Sequence, residues 1–264
     1  MYPYIDLGFI QYPTYGLLAL VGIITAVAVM LFLGKKRKVS YYDLIPVTLA
    51  GLVGTIIGAR LLYALTCLED VSFLFRTKHL YTTSEFLSEL NYITSGMVFY
   101  GGLYGGILFG FLWAKIKKAD IKNLGDLFSV GIPAFHIFGR IGCFFAGCCY
   151  GVKSHVGFSG RVLFDDVREK ATRFPTQLLE AFVLLIITAV LVFLFVKRIF
   201  AGRLLVVYLG LYAVARFFLE YLRGDEIRGR LLWFSTSQWI SLLTLAGVMT
   251  YLLLRIQRRN QSKT

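Results

Sequence analysis

Seven stretches of this chain are each close to the length of a membrane crossing and carry few charges, which removes most fold classes at once. They fall at 15–34, 44–66, 96–114, 126–147, 177–196, 204–222 and 236–254. About 20 apolar residues suffice for an α-helix to traverse the hydrocarbon of a bilayer. Backbone N–H and C=O groups find no water there and must be satisfied within the segment, which an α-helix does. Composition agrees, at 57% hydrophobic and only 16% charged residues, far from a soluble domain. The expectation is an all-α integral membrane protein with about seven transmembrane helices, a single polytopic domain over 1–264. Its largest non-membrane pieces, 67–95 and 148–176, are expected as extracytoplasmic loops.

The net charge of +13 raises nucleic acid as a partner, and its placement argues against it. Lys35, Lys36, Arg37 and Lys38 follow the first span, and Lys115, Lys117, Lys118 and Lys122 lie between the third and fourth. Lys197, Arg198 and Arg203 separate the fifth and sixth, and Arg255, Arg258, Arg259 and Lys263 end the chain. Basic clusters between alternate spans mark the cytoplasmic side. The N-terminus is therefore expected outside and the C-terminus in the cytoplasm, with the basic excess meeting anionic headgroups. The first span is not read as a cleavable signal peptide, because its basic residues follow it instead of preceding it. The four cysteines (Cys67, Cys143, Cys148, Cys149) are too few for a disulfide framework at this length.

That topology assigns a depth to each polar residue inside a span. Arg60 falls in the outer half of span two, His136 near mid-depth in span four with Arg140 above it, and Arg216 and Glu220 in the outer half of span six. Tyr100 lies at the outer end of span three and Tyr15 at the outer end of span one. Polar groups from five spans thus gather toward one leaflet. Charged side chains at such depth are costly and usually face a polar cavity. Arg216 and Glu220 share a helix face at i,i+4 spacing, as do His136 and Arg140. Glu220 alone is one acid against three guanidiniums, so an exogenous anion is expected. Guanidinium forks match phosphate geometry, and the arrangement reads as a phospholipid-headgroup site.

Glycines repeat at short helical spacing in span two (Gly51, Gly54, Gly58) and span three (Gly101, Gly102, Gly105, Gly106, Gly110). Close helix packing explains them, and room for a lipid beside Tyr100 is compatible with it. The glycine-rich run from Gly96 is not a dinucleotide fingerprint, since no βαβ unit surrounds it. Cys143, Cys148 and Cys149 read as small packing residues at a helix end or as a thiol able to engage lipid. Cys-x4-Cys-Cys, with only His136 or His155 at a distance, is weak ligand spacing, so no metal is assigned.

At these residues the chain resembles the prolipoprotein diacylglyceryl transferase family. The shared motifs run from Tyr15-Gly16-Leu17, through Gly54 to Arg60-Leu61 and Tyr100-Gly101-Gly102-Leu103, to Gly139-Arg140-Ile141-Gly142 and Gly147. They continue with Phe174-Pro175-Thr176-Gln177-Leu178-Leu179-Glu180, Arg216 to Glu220 with Arg223 and Asp225, and Ser237-Gln238. The resemblance implies a multi-pass enzyme of the bacterial plasma membrane that needs no cofactor. Its partners would be phosphatidylglycerol, a prolipoprotein signal peptide with a lipobox cysteine, and membrane lipids. Diacylglyceryl would pass to the cysteine thiol and glycerol phosphate would be released. The resemblance makes Arg140 the phospholipid-binding arginine, Arg216 a second essential one with Glu220 beside it, and Tyr15 an entrance residue. Arg60, Gly101, Gly102 and Cys143 complete the expected substrate-binding set, with Tyr100, Arg216, Glu220 and His136 as the catalytic set.

The chain departs from the family at four places. Tyr100 stands where the family segment begins with His, and a phenol is a poor base at neutral pH. Tyr100 is therefore expected to orient substrate, with His136 or Glu220 standing in as base. Cys143 and Ala146 replace two Asn, and Cys148-Cys149 occupies a usually acidic or polar stretch. These departures leave a diverged paralogue with another acceptor, or a lipid binder or transporter without chemistry, as alternatives.

Overall fold

A computed structural model describes residues 4–6, 8, 11–96, 98–159, 172–224, 230–231 and 233–261. Asp225, and Arg161, Asp165, Asp166 and Arg168 of the expected outer loop, lie outside the described residues. The long helices are α1 (Thr14–Arg37), α2 (Tyr41–Thr66), α5 (Phe99–Ile116), α6 (Ile121–Ala146), α7 (Thr176–Val196), α8 (Leu204–Leu219) and α9 (Thr236–Gln261). Six helices are long and apolar enough to cross a membrane, and the apolar stretch Gly101–Ile116 within α5 is shorter. The protein is thus a multi-pass, all-α membrane protein, with one helix for each apolar run. Large apolar side chains such as Phe32, Ile56, Phe193 and Leu243 are exposed. That surface would be a liability in water and is the ordinary lipid contact of a membrane helix.

The segment 67–95 is not irregular. It holds α3 (Leu68–Arg76), a 3₁₀ turn at Lys78–Leu80 and α4 (Thr83–Ile93). Helix α4 begins with a capping box: Thr82 N–H donates to Glu85 Oε2 at 2.9 Å, and Glu85 N–H donates to Thr82 Oγ1 at 3.4 Å. Of 148–176, the described part contributes a small hairpin, β3 (Lys153–Ser159) with β4 (Thr172–Arg173).

The chain divides into two compact units, one formed by 1–37 and 125–264 and the other by 38–124. In the second unit, α2 and α5 run antiparallel with their glycines in contact. A Cβ added at Gly58 would overlap the Gly101 carbonyl, and one at Gly105 would overlap that of Gly54. The packing reading of the glycine pattern is the one these contacts express. Without side chains the two backbones reach dispersion contact, which larger residues would prevent.

In the first unit, α1 lies antiparallel to α6. Gly22 packs on Phe135 and Phe138, Gly131 on Met30, and Gly142 on the ring of Tyr15. Helices α7, α8 and α9 follow as antiparallel neighbours, since Thr176 reaches Leu222, Gly210 faces Val248 and Gln238 reaches Phe217.

One end of this unit is fastened by Asp126, which is 1% exposed. Its carboxylate accepts from Arg37 Nη1 at 2.6 Å, from Gly202 N–H at 2.6 Å and from Leu204 N–H at 2.9 Å. Arg37 also donates to the Phe195 carbonyl at 2.9 Å and stacks on the Phe195 ring. The pair thereby satisfies orphan backbone groups at the end of α7 and the start of α8, which would otherwise be buried unpaired. The other end, where α6 and α8 finish and α7 and α9 begin, carries the remaining buried charges.

Candidate active site

Glu180 stands in the second turn of α7, the only ionisable residue between Thr176 and Val196. It is 1% exposed. A carboxylate so placed needs partners, and the neighbouring helices supply them. Arg140 of α6 sits 2.9 Å from Glu180 Oε1 through Nη2. Tyr212 of α8 donates its hydroxyl to the same oxygen at 3.1 Å. Arg216, one helical turn beyond Tyr212, places Nη1 3.9 Å from Glu180 Oε2. Its Nη2 meets Glu220 Oε2 at 2.5 Å and donates to Ser237 Oγ of α9 at 3.2 Å. Glu220 in turn accepts from Ser235 Oγ at 2.9 Å. Four helices therefore feed one polar network, and the i,i+4 pairing of Arg216 with Glu220 expected from spacing is present.

The charge count differs from the one read in the sequence. Glu220 was the single acid set against Arg60, Arg140 and Arg216, and Glu180 is a second one between two of those arginines. The signal was available, since Glu180 interrupts an otherwise uncharged span. Arg60 belongs to the other unit, where its Nη1 donates to Asn91 Oδ1 at 3.3 Å. Among the described residues the ion-paired network is therefore two guanidiniums, Arg140 and Arg216, with two carboxylates, Glu180 and Glu220. Arg140 Nε and Arg216 Nη1 are buried with no hydrogen-bond acceptor among the described residues. Each such N–H forfeits about 1–3 kcal/mol until an acceptor meets it.

The other expected site residues sit as follows. His136 packs edge-on against Tyr212, ring centroids 5.4 Å apart, one residue removed from the Glu180 carboxylate. The Tyr15 ring covers Gly142, two residues beyond Arg140 in α6. Cys143, Cys148 and Cys149 draw together, their sulphur atoms all within 4.8 Å of one another. Gly101 packs on Gly58 and Leu62, and Gly102 on Thr55, all within the second unit. Tyr100 is the second residue of α5, and its side chain lies outside the described residues.

The entry of the chain into α7 fixes Glu180 from below. Gln177 Nε2 donates to the Cys148 carbonyl at 2.8 Å, and Thr176 Oγ1 to the Leu222 carbonyl at 2.9 Å. On α9, Gln238 accepts the Ser235 N–H at 3.0 Å. The sequence-level motifs around Thr176-Gln177 and Ser237-Gln238 are thus the brackets that hold the arginine ends of α6 and α8 in register. Chemically the assembly is a desolvated pair of guanidiniums tied to one shared carboxylate, Glu180, with Glu220 a second partner of Arg216. Such a pair suits a dianionic or monoanionic phosphate and the charge that grows on it as a bond to it breaks.

Comparison with known proteins accords with this chemistry. Residues 3–254 match the family model described as prolipoprotein diacylglyceryl transferase. A phosphatidylglycerol–prolipoprotein diacylglyceryl transferase of Clostridium tetani is 30% identical over 249 residues, covering 93% of this chain and 94% of its own. A second such transferase, from Clostridium perfringens, is 29% identical, covering 94% of this chain and 93% of its own. The protein of that name in Clostridioides difficile is 26% identical, over 93% and 92%. With its full-length match, its membrane helices and its arginine–carboxylate network in hand, the chain belongs to the prolipoprotein diacylglyceryl transferase family.

Proposed function

We propose that this protein transfers the diacylglyceryl group of phosphatidylglycerol to the thiol of a lipobox cysteine in a prolipoprotein signal peptide, releasing glycerol phosphate. The observation that carries the reading is the pair of buried guanidiniums, Arg140 and Arg216, each with an N–H that lacks an acceptor among the described residues. A lipid phosphate is the acceptor of matching shape and charge.

In this mechanism Arg140 and Arg216 hold the phosphate, and Glu180 keeps the two guanidiniums aligned. The acceptor thiol gives its proton to Glu220, with His136 as the other candidate base. The thiolate then attacks the glycerol carbon bonded to phosphate. A C–S bond forms as the C–O bond breaks, and the electron pair departs on the phosphate oxygen of glycerol phosphate. Charge developing on that leaving group is what the two arginines stabilise. Tyr15, whose ring covers Gly142 two residues beyond Arg140, borders the entrance. Membership of the family supports a bacterial plasma-membrane location, and the distribution of Lys and Arg supports an N-terminus on the outer side.

Purified protein with headgroup-labelled phosphatidylglycerol and a lipobox peptide provides the test. Peptide-dependent release of labelled glycerol phosphate, together with a thioether-lipidated peptide, is the expected result. Lipid that binds without turnover under these conditions refutes the transferase reading.

A further inference from the structure

Helix α6 ends in a turn that the proposed transfer chemistry does not use. Gly147 leaves the helix at φ 76°, where glycine carries no penalty, and Cys149 follows at φ 58°. A left-handed conformation disfavours a residue with a Cβ by about 1 kcal/mol or more, so the surrounding contacts must hold it. Gly147 N–H donates to Phe144 O at 3.2 Å and Cys148 N–H to Cys143 O at 3.1 Å. Gln177 holds the Cys148 carbonyl, and Gly224 N–H donates to Tyr150 O at 3.1 Å. Gly151 is packed so closely on Thr176 and Phe174 that a Cβ there would overlap both. The effect of this locked turn is to fold Cys148 and Cys149 back over Cys143 of the last helical turn.

We propose that Cys143, Cys148 and Cys149 form a binding site for one thiophilic d10 metal ion, of the class of Zn(II), Cd(II) or Cu(I). The three sulphur atoms lie within 4.8 Å of one another. Thiolates bound to a tetrahedral zinc at about 2.3 Å stand about 3.8 Å apart. Closure by about 1 Å at most, within reach of side-chain rotation, completes the coordination. All four cysteines carry thiols and no disulfide, and sulphur ligands select soft ions over Mg(II) or Ca(II). Neighbours in sequence, Cys148 and Cys149 are poorly placed to bond to each other. Three protein ligands leave one position for an exogenous ligand, as in open zinc sites.

Three thiols release three protons on binding, and three thiolates around a divalent ion leave a net single negative charge. Arg140, three residues before Cys143 on the same face of α6, keeps its pairing with Glu180. The inference rests on the thiol geometry alone and holds whether or not the chain turns over phosphatidylglycerol.

The experiment is titration of the reduced, metal-free, full-length protein in detergent with Cd(II), and with Zn(II) as competitor. A thiolate-to-metal charge-transfer band should grow to saturation at one Cd(II) per chain, and Zn(II) should displace it. Maleimide labelling of the wild-type protein gives a readout that needs no variant: bound Zn(II) should protect Cys143, Cys148 and Cys149 and leave the labelling of Cys67 unchanged. Cys67→Ser should titrate as wild type, and each of Cys143→Ser, Cys148→Ser and Cys149→Ser should weaken Cd(II) binding at least tenfold. The absence of a saturable one-equivalent band, or equal labelling of all four cysteines with and without Zn(II), would overturn the proposal.

Discussion

Replacing Glu180 by Gln probes the network at its centre. The side chain keeps its shape and one acceptor oxygen but loses its charge, in a position 1% exposed. In the wild type that charge lies 2.9 Å from Arg140 and 3.9 Å from Arg216. Removing one partner of a buried pair strands the others and costs about 3–5 kcal/mol. The retained amide oxygen still accepts from Arg140 or Tyr212, so the lower end, about 3 kcal/mol, is expected. At about 1.4 kcal/mol per tenfold change, that shifts the folded-to-unfolded ratio by about a hundredfold or more. Denaturant unfolding in detergent reads it, with a double-mutant cycle through Arg140→Gln to isolate the pair. The cycle should show coupling of about 2 kcal/mol or more, the double variant costing less than the two single ones together. Added phosphatidylglycerol should stabilise Glu180→Gln more than wild type, because an anionic headgroup then meets guanidiniums with only Glu220 beside them. A loss under about 1 kcal/mol together with a coupling near zero refutes the reasoning, since Glu180 would then not be holding the arginines.

Three other outcomes follow from the same contacts. Asp126→Asn removes the charge that Arg37 faces and weakens acceptance from Gly202 and Leu204, and should destabilise the protein by about 3 kcal/mol, measured by thermal aggregation or denaturant unfolding in detergent. Gly58→Ala drives a methyl group into the Gly101 backbone and should cost about 1–3 kcal/mol as an overpacked contact, whereas Gly139→Ala, which meets open space, should be nearly neutral by the same measurement. The Glu85 carboxyl is held below its ordinary value first by the Thr82 N–H and then by the Thr82 hydroxyl. A depressed carboxyl stabilises the fold above its unfolded pKa and loses that contribution as pH falls through the folded one, so proteolysis near α4 should quicken on acidification in wild type, less steeply in Thr82→Ala, which keeps the N–H donor and loses the hydroxyl, and not at all through this group in Glu85→Gln.

Much of the architecture was legible because the bilayer leaves so few choices. Each apolar run became a helix near its expected bounds, and the Arg216–Glu220 pair followed from helical spacing alone. The glycines of spans two and three announced a close contact before any coordinates. What spacing could not show was which helices meet. Glu180 reaches Arg140 across forty residues of sequence and Asp126 reaches the start of α8 across 78, and no local pattern encodes either. Glu180 is visible in the sequence as a charge in an apolar span, but its role as the shared counter-ion depends on which helices meet. The convergence of Cys143 with Cys148 and Cys149 was hidden for another reason. It depends on a left-handed non-glycine residue at Cys149, which the sequence does not mark. The amphipathic helices α3 and α4 went unread because a segment of two short helices between spans has the same composition as a loop.

Phosphatidylglycerol retention by native mass spectrometry tests the central claim most directly. Wild-type protein, Arg140→Gln and Arg216→Gln would be released from mixed micelles holding equal phosphatidylglycerol and diacylglycerol, which differ in the phosphate headgroup. Wild type should retain phosphatidylglycerol over diacylglycerol, and each single variant should lose that preference by tenfold or more while remaining folded. Equal retention of the two lipids by wild type, or a preference unchanged in both variants, would contradict the guanidinium clamp.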